Sequence, residues 1–481
     1  MQEQILSPFL IGSILVAYFG LLVLLSRLTA RNASNADFFT GSKKSPWIVV
    51  ALGMIGTSLS GVTFISVPGW VGTSGYSYMV VVFGYLVGYL AITQWLLPLF
   101  YASKHQSIYG YLEDVYGVWA RKTGALFFLL SRILGAAFRL YLVAMVLDSF
   151  VLGPFHVPFA VTVAISLGLI YLYTHKGGIK TIIWTDLFQT TFMLAALGIT
   201  LYQLIQVEDV AIWAGEGFKN SWFLESDIFA KSHPFKQFFG GALIAFCMTG
   251  LDQDMMQKNL SCATLKESKR NIWLFSAVLM VVNFLFLLMG EGLFDFAQGT
   301  GMEMPEKSDR LFPTIALNGG LGLGVALFFV LGLVAAAYSS ADSALTALTT
   351  SVINDFADGE KKSEGEVRRL RKWVHPAIAV VLLVVIVVFN EISGSSVINE
   401  LLTVAGYTYG PLLGLFLFGM LNYHKVVQDK MVPVAIALGL GLALGIKWLV
   451  EGQTPYVFGY EFLGLNGLIC FFVLQVFSKN R

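Results

Sequence analysis

The stretch that decides the fold is GMIGTSLSGVTFISVPGW, residues 53–70, where glycine, serine, threonine and proline interrupt a long apolar segment. A second interruption lies in GGALIAFCMTGLDQDMMQ, residues 240–257, around Thr249 and Gly250. Non-helical backbone persists at bilayer depth only where protein or a water-filled cavity supplies hydrogen-bond partners. Paired broken helices in two parts of a chain therefore indicate the binding site of a transporter. The alternative is two kinked helices that pack closely through small residues.

The whole chain has the composition of a polytopic membrane protein. Of its 481 residues, 56% are hydrophobic and 13% are charged, whereas soluble domains carry roughly a quarter charged residues. Apolar segments of about 18 to 30 residues recur, and each could cross a hydrocarbon layer of ~30 Å as a helix. We count thirteen of them: 5–26, 46–72, 76–101, 123–152, 155–174, 180–205, 235–257, 271–296, 321–353, 373–390, 396–421, 431–450 and 458–477. The first lacks a basic leader and a small-residue cleavage site, which predicts a retained helix.

The distribution of lysine and arginine orients these segments, because cytoplasmic loops are rich in both. With the N-terminus outside, 23 of the 31 basic residues fall in cytoplasmic loops, and Lys258 is one of them. The outer loops hold only Lys219, Lys231, Lys236, Lys307 and Arg310. We therefore predict a multi-pass protein of the cell (inner) membrane with an outside N-terminus and a cytoplasmic C-terminus.

Several stretches resemble the sodium:solute symporter family. They are TSLSGVTFISVPGW (57–70), GGIKTIIWTDLFQ (177–189), AAAYSSADSALTALTTSVINDF (335–356) and, at the second broken helix, LDQDMMQKNL (251–260). The resemblance covers essentially the whole chain. It implies an all-α membrane protein with 13 transmembrane helices, in which a 5+5 inverted repeat with two broken helices is preceded by one helix and followed by two.

The resemblance also implies the division of the chain and its activity. The expected parts are an N-terminal helix with the first cytoplasmic loop (1–45), a first repeat (46–206), an external loop (207–234), a second repeat (235–421) and two C-terminal helices (422–481). Family members import a small polar organic solute with sodium by alternating access. The expected partners are thus the solute and the lipid bilayer, with no nucleic acid and no obligatory protein partner.

A first sodium site is expected where Ser339 and Ser340 present adjacent hydroxyls on a helix rich in alanine. Sodium is a hard cation that prefers oxygen ligands, which hydroxyls and broken-helix carbonyls supply. The resemblance implies a site made of the carbonyls of Gly56, Leu59 and Ala336 with the hydroxyls of Ser339 and Ser340. The alternative is that these serines hydrogen-bond to their own helical turn.

A second ion site is suggested by two acidic residues inside apolar segments, because intramembrane carboxylates are functional candidates. Some family members would use the counterparts of Asp186, Ser339, Asp342 and Ser343 for a second sodium, although they carry serine at the position of Asp342. The added carboxylate could strengthen the site or pair with a basic residue. The coupling ions are therefore one or two sodium ions, and a proton-coupled carrier titrating at Asp186 or Asp342 is the closest alternative.

The solute site is expected at the first broken helix, where the resemblance points to Ser58, Ser60 and Thr63. Their hydroxyls suit a polar solute without identifying it. Arg139 and Arg132 lie seven residues apart on one face of the fourth segment, and a guanidinium there could bind a carboxylate. A structural ion pair, for instance with Asp148 or Asp186, is the alternative for either arginine.

Two named substrates fit the sequence poorly. The arginine and glutamine of the sialic-acid members would fall near Gly135 and Val82, and the gating tyrosine of the sugar-transporting members would fall near Met248. An enzyme is not predicted, because the six histidines lie in or beside loops without metal-ligand spacing. A transporter-like membrane sensor is a further alternative, although such sensors usually carry an output domain and none is expected here.

Overall fold

The computed structural model describes residues 6–480 except 32, 104, 208–209, 211–224, 319, 393–396 and 423. These residues fold into α-helices joined by short loops, with one small sheet. The helices are α1 Pro8–Thr29, α2 Asn35–Thr40, α3 Trp47–Ser58, α4 Gly61–Ser74, α5 Tyr78–Ala91, α6 Leu97–Ala102, α7 Gly110–Val115, α8 Val118–Leu147, α9 Phe159–Thr174, α10 Ile179–Ile205, α11 Pro234–Gly250, α12 Gln253–Asn259, α13 Leu265–Gly299, α14 Leu311–Leu317, α15 Gly322–Ser351, α16 Glu364–Ile392, α17 Val397–Leu421, α18 Val432–Gln453 and α19 Phe462–Val476.

Within the described residues, nine helices are long and apolar enough to cross a membrane, or ten if the bent pair α3 and α4 is counted as one span. Two shorter apolar helices, α9 and α19, accompany them. Three π-helical turns, Ile92–Leu96, Asp148–Leu152 and Val352–Phe356, extend α5, α8 and α15. The chain is therefore a multi-pass helical membrane protein. Most of the predicted external loop, including Lys219, lies outside the described residues.

Both interruptions seen in the sequence are breaks between helices. The axes of α3 and α4 differ by 59° across Leu59 and Ser60. The second break, at Leu251 and Asp252, follows directly after the expected position at Thr249 and Gly250, which form the last turn of α11. Asp252 caps α12, since its side chain accepts hydrogen bonds from the backbone N–H of Asp254 (2.9 Å) and Met255 (3.3 Å).

The first break is held against two helices of the protein interior. Helix α3 packs against α10 and α15, and these two also pack against each other. A Cβ atom at Gly56 would lie 2.4 Å from Thr190 Oγ1, so α10 can approach only a glycine here. The backbone N–H of Gly56 donates to that hydroxyl at 3.1 Å. The end of α3 is thereby placed beside the serines of α15.

Contacts between loops show which helix ends share one face of the protein. Strand β1 (Lys425–Val427) pairs antiparallel with β2 (Ser478–Asn480). Ser45 and Cys262 form a parallel bridge, and Arg121 Nε lies 2.8 Å from Asp355 Oδ1. The two members of each pair are in contact and therefore lie on the same side of the membrane. The chain between them must then cross the membrane an even number of times.

Candidate ion and solute sites

A cavity opens at the first break. It is lined by residues of α3, α4, α5, α8, α11, α12 and α13, and its empty volume, which includes space open to solvent, is about 780 Å³. All four residues expected at the solute site line it, namely Ser58, Ser60, Thr63 and Arg139. The structure therefore brings together groups from α3, α4 and α8 that the sequence separates.

The two intramembrane arginines of α8 differ in their partners. Arg132 forms an ion pair with Asp254 and lies 3.9 Å from Asp252, so its partners are neither Asp148 nor Asp186. Arg139 is 8% exposed and lines the cavity. Among the described residues, no carboxylate lies within 4.0 Å of its guanidinium. Arg132 lines the same cavity but is ion-paired, so Arg139 is the cavity-lining arginine without a carboxylate partner in the described part of the chain.

Three tyrosines of α5 form a wall of the cavity that the sequence analysis missed. Tyr78, Tyr85 and Tyr89 all line it, and the hydroxyls of Tyr78 and Tyr85 lie 3.3 Å apart. Their spacing places them on one face of a helix, which is a signal that could have found them. Met248 also lines the cavity. The cavity therefore combines hydroxyl groups and aromatic rings with the guanidinium of Arg139, which has no carboxylate partner among the described residues.

The residues of the expected first sodium site converge at the end of α3. Ser340 Oγ donates to the carbonyl of Thr57 at 3.0 Å, and Ser339 Oγ lies 3.5 Å from the position of a Cβ atom on Gly56. The last carbonyls of a helix have no partner within it and are free to bind other groups. Both serines also lie 3.3–3.4 Å from the carbonyl of Ala336. Both serines therefore contact their own helical turn. The shorter hydrogen bond of Ser340, however, is the one to the carbonyl of Thr57 in α3.

Beside Thr57 at the end of α3, Asp186 forms a fully buried ion pair with Lys258. Lys258 Nζ lies 2.6 Å from Asp186 Oδ2 and also donates to Thr57 Oγ1. The two side chains are 1% and 0% exposed. The assignment of Lys258 to a cytoplasmic loop was wrong, because the residue belongs to α12 and points into the protein. Its signal in the sequence was weak, since it directly follows the last residue of an apolar segment.

Asp342 lies on the other side of this cluster. Its carboxylate accepts hydrogen bonds from the hydroxyls of Tyr173 (2.8 Å) and Ser343 (3.2 Å). Asp342 interacts electrostatically with both Asp186 and Lys258. The cluster therefore holds two buried carboxylates and one ammonium group. The second sodium site stays a prediction. In the structure, one of its predicted residues, Asp186, is paired with Lys258.

Comparison with known proteins gives a consistent result. The family model described as "Sodium:solute symporter family" matches residues 38–428. The chain is 25% identical to the sodium/sialic acid symporter NanT of Aliivibrio fischeri over 97% of this chain and 93% of that protein. It is 24% identical to the human sodium/iodide cotransporter over 91% of this chain and 68% of that protein. It is 25% identical to the human sodium-coupled monocarboxylate transporter 1 over 86% of this chain and 69% of that protein.

A solved structure of a sodium-coupled sialic acid symporter has the same fold. Its TM-score is 0.84 with 19% sequence identity, and the match covers 98% of this chain and 99% of that chain. That structure is described as a substrate-bound, outward-open state.

Proposed function

Because this chain belongs to the sodium:solute symporter family, we propose that it imports a small polar organic solute with sodium by alternating access. One observation carries the coupling. Thr57 lines the solute cavity, and its carbonyl accepts a hydrogen bond from the hydroxyl of Ser340. An ion bound between α3 and α15 would therefore fix the same residues that contact the solute. Two ligands that order one segment bind cooperatively.

The proposed first sodium site consists of the carbonyls of Gly56, Leu59 and Ala336 with the hydroxyls of Ser339 and Ser340. The convergence of Gly56 with the two serines supports it. Leu59 belongs to the break itself, where the backbone leaves the helix with φ −82° and ψ 58°. Carbonyls at such a break can turn toward an ion, as in other transporters with discontinuous helices.

We propose that the solute carries a carboxylate group. Arg139 supports this class, since it is a nearly buried cation in the cavity with no ion-pair partner among the described residues. Charge-assisted hydrogen bonds from a guanidinium to a carboxylate are strong and often bidentate. The hydroxyls of Ser58, Ser60 and Thr63 would bind the remaining polar groups. Sialic acid and monocarboxylates, the substrates named for three relatives above, belong to this class.

The proposed topology has thirteen crossings in a 5+5 inverted repeat, with an outside N-terminus. It treats α9, α19 and the pair α11 and α12 as further spans. The loop contacts support it, because it places six crossings between Ser45 and Cys262 and two between β1 and β2. In this proposal, the five parts of the chain end at the boundaries predicted from the sequence, which follow residues 45, 206, 234 and 421. A cysteine introduced at Arg481 should react only with reagents that reach the cytoplasm.

Uptake into proteoliposomes tests the function. Purified protein should accumulate radiolabelled N-acetylneuraminate, pyruvate or another small carboxylate when a sodium gradient is imposed, and not with potassium in place of sodium. Counterflow of the labelled solute separates a carrier from a sensor, because only a carrier exchanges it. A proton gradient applied without sodium tests the proton-coupled alternative. Accumulation driven by protons alone would contradict sodium coupling.

A further inference from the structure

We propose that the ammonium group of Lys258 is a built-in cation that takes the position of a second sodium ion beside Asp186. The chain would then transport one sodium ion with each solute. This inference rests on the proposed function and specifies its stoichiometry. It differs from the expected second sodium site in assigning the positive charge at Asp186 to a side chain of the protein.

The geometry around Lys258 is that of a cation site made of oxygen atoms. Its Nζ lies 2.6 Å from Asp186 Oδ2 and is in contact with Thr57 Oγ1. Thr57 Oγ1 in turn lies 3.3 Å from Asp186 Oδ2 and 3.4 Å from the carbonyl of Ser339. The ammonium thus reaches the C-terminal end of α3 and contacts α10, where a second sodium would be bound by Asp186 and the serines of α15.

The charges of the cluster explain why a cation is needed there. Asp186 and Asp342 are both 0% exposed, and they interact electrostatically with each other and with Lys258. A buried carboxylate needs a compensating positive charge or hydrogen-bond donors, because desolvation is costly. Lys258 attracts both carboxylates, whereas Asp342 has only the neutral donors Tyr173 and Ser343 as hydrogen-bond partners in the described part of the chain. The ammonium group of Lys258 therefore compensates the charge of Asp186 through direct contact. It also stabilises a negative charge on Asp342 through a longer-range attraction.

The same geometry excludes simultaneous occupancy of the position by sodium. An ammonium in contact with Asp186 Oδ2 and Thr57 Oγ1 occupies the space between these oxygens, and a second positive charge placed there would be repelled. Removing the ammonium should have the opposite effect. Without Lys258, the buried carboxylate of Asp186 and the hydroxyl of Thr57 would be left without a cation, and oxygen ligands of this kind attract a hard cation.

The first experiment measures stoichiometry in the wild-type protein. Fluxes of ²²Na⁺ and labelled solute are recorded in parallel in proteoliposomes at zero membrane potential. A ratio of one sodium per solute is expected. A ratio of two would overturn the inference while leaving sodium coupling intact. If sodium drives no uptake in the wild type, the proposed function itself fails, so the two failures are distinguishable.

The second experiment uses Lys258→Met, which keeps a long apolar side chain without the charge. Melting temperatures are measured in sodium or potassium chloride at constant ionic strength. Ligands that bind the folded state raise its stability by mass action, so Lys258→Met should be destabilised in potassium and recover in sodium. The apparent number of sodium ions, taken from the logarithmic slope of stability against sodium concentration, should rise from about one to about two.

Three matched variants complete the test. Lys258→Arg keeps a cation and should retain the wild-type slope. Lys258→Met combined with Asp186→Asn removes both charges and should also return the slope to about one. Lys447→Met removes a lysine of another apolar helix, where its ion-pair partner is Glu451 rather than a residue of this cluster, and should leave the sodium response unchanged. A sodium response of Lys258→Met equal to that of Lys447→Met would overturn the inference.

Discussion

The two breaks in the helices are built from different chemistry. Residues 57–63 around the first break, TSLSGVT, contain no charged residue. Around the second break, Asp252, Asp254 and Lys258 are all fully buried. Asp254 is paired with Arg132, and Lys258 is paired with Asp186. The first break exposes neutral oxygens to the cavity, whereas the second is attached to α8 and α10 by buried ion pairs.

This difference indicates a division of roles. Hydroxyls and carbonyls can bind and release a sodium ion or a solute without leaving a buried charge unpaired. Ion pairs in a low-dielectric interior are costly to break, since a single partner left behind is an uncompensated charge. We therefore expect substitutions at the second break to affect stability first, and substitutions at the first break to affect binding first.

The largest effect is expected for Arg132→Met. The substitution leaves Asp254 buried without its ion pair and also removes the cation nearest to Asp252. Loss of one partner of a buried pair costs about 3–5 kcal/mol, so the variant should unfold at a clearly lower temperature in detergent. Combining it with Asp254→Asn should restore part of that stability. An unchanged melting temperature of Arg132→Met would contradict the structural role.

Arg139→Met should behave in the opposite way, because this arginine has no carboxylate partner within 4.0 Å in the described structure. Its melting temperature should stay close to that of the wild type. Apparent affinity for a carboxylate solute should fall roughly 10- to 100-fold, as expected from losing a charged hydrogen bond worth ~1.5–3 kcal/mol. Uptake titrations of Arg139→Met and Arg139→Lys side by side measure this. Equal affinities for wild type and both variants would remove Arg139 from the solute site.

A smaller effect is expected for Ser340→Ala. The substitution removes one proposed sodium ligand and the hydrogen bond to Thr57, so the sodium concentration for half-maximal uptake should rise roughly tenfold. Folding should be retained, and Thr346→Ala, on the same helix but outside both predicted sodium sites, serves as a control. Unchanged sodium activation in Ser339→Ala and Ser340→Ala alike would contradict the first sodium site.

Much of this site could be predicted because its chemistry is local in the sequence. Small and hydroxyl-bearing residues at the break identify Ser58, Ser60 and Thr63, and the adjacent serines 339 and 340 stand out in a helix rich in alanine. Partners across the fold carry no such signal. The pairing of Arg132 with Asp254 joins residues from different halves of the chain. Lys258 was misassigned because a lysine that ends an apolar segment usually faces water.

The smallest expected effect concerns pH and lies outside the membrane-spanning helices. Burial lowers the pKa of His105, but hydrogen bonds of its ring to Glu360 (3.0 Å) and Asp114 (3.1 Å) outweigh burial and raise the pKa overall. A raised folded-state pKa gives stability that is complete below the unfolded pKa of about 6.5 and is lost as pH rises through the folded pKa. The melting temperature of the wild type should fall slightly between about pH 6 and pH 8, and His105→Gln should show a flatter profile.

Coupling through the first break is tested most directly by binding to the purified protein in nanodiscs. The affinity for a transported carboxylate solute is measured in sodium and in potassium, and the affinity for sodium is measured with and without that solute. Because coupling free energy is reciprocal, sodium should strengthen solute binding, and the solute should strengthen sodium binding by the same factor. Ser340→Ala should reduce both factors together. Solute affinity that is equal in sodium and potassium would contradict sodium-coupled transport by this protein.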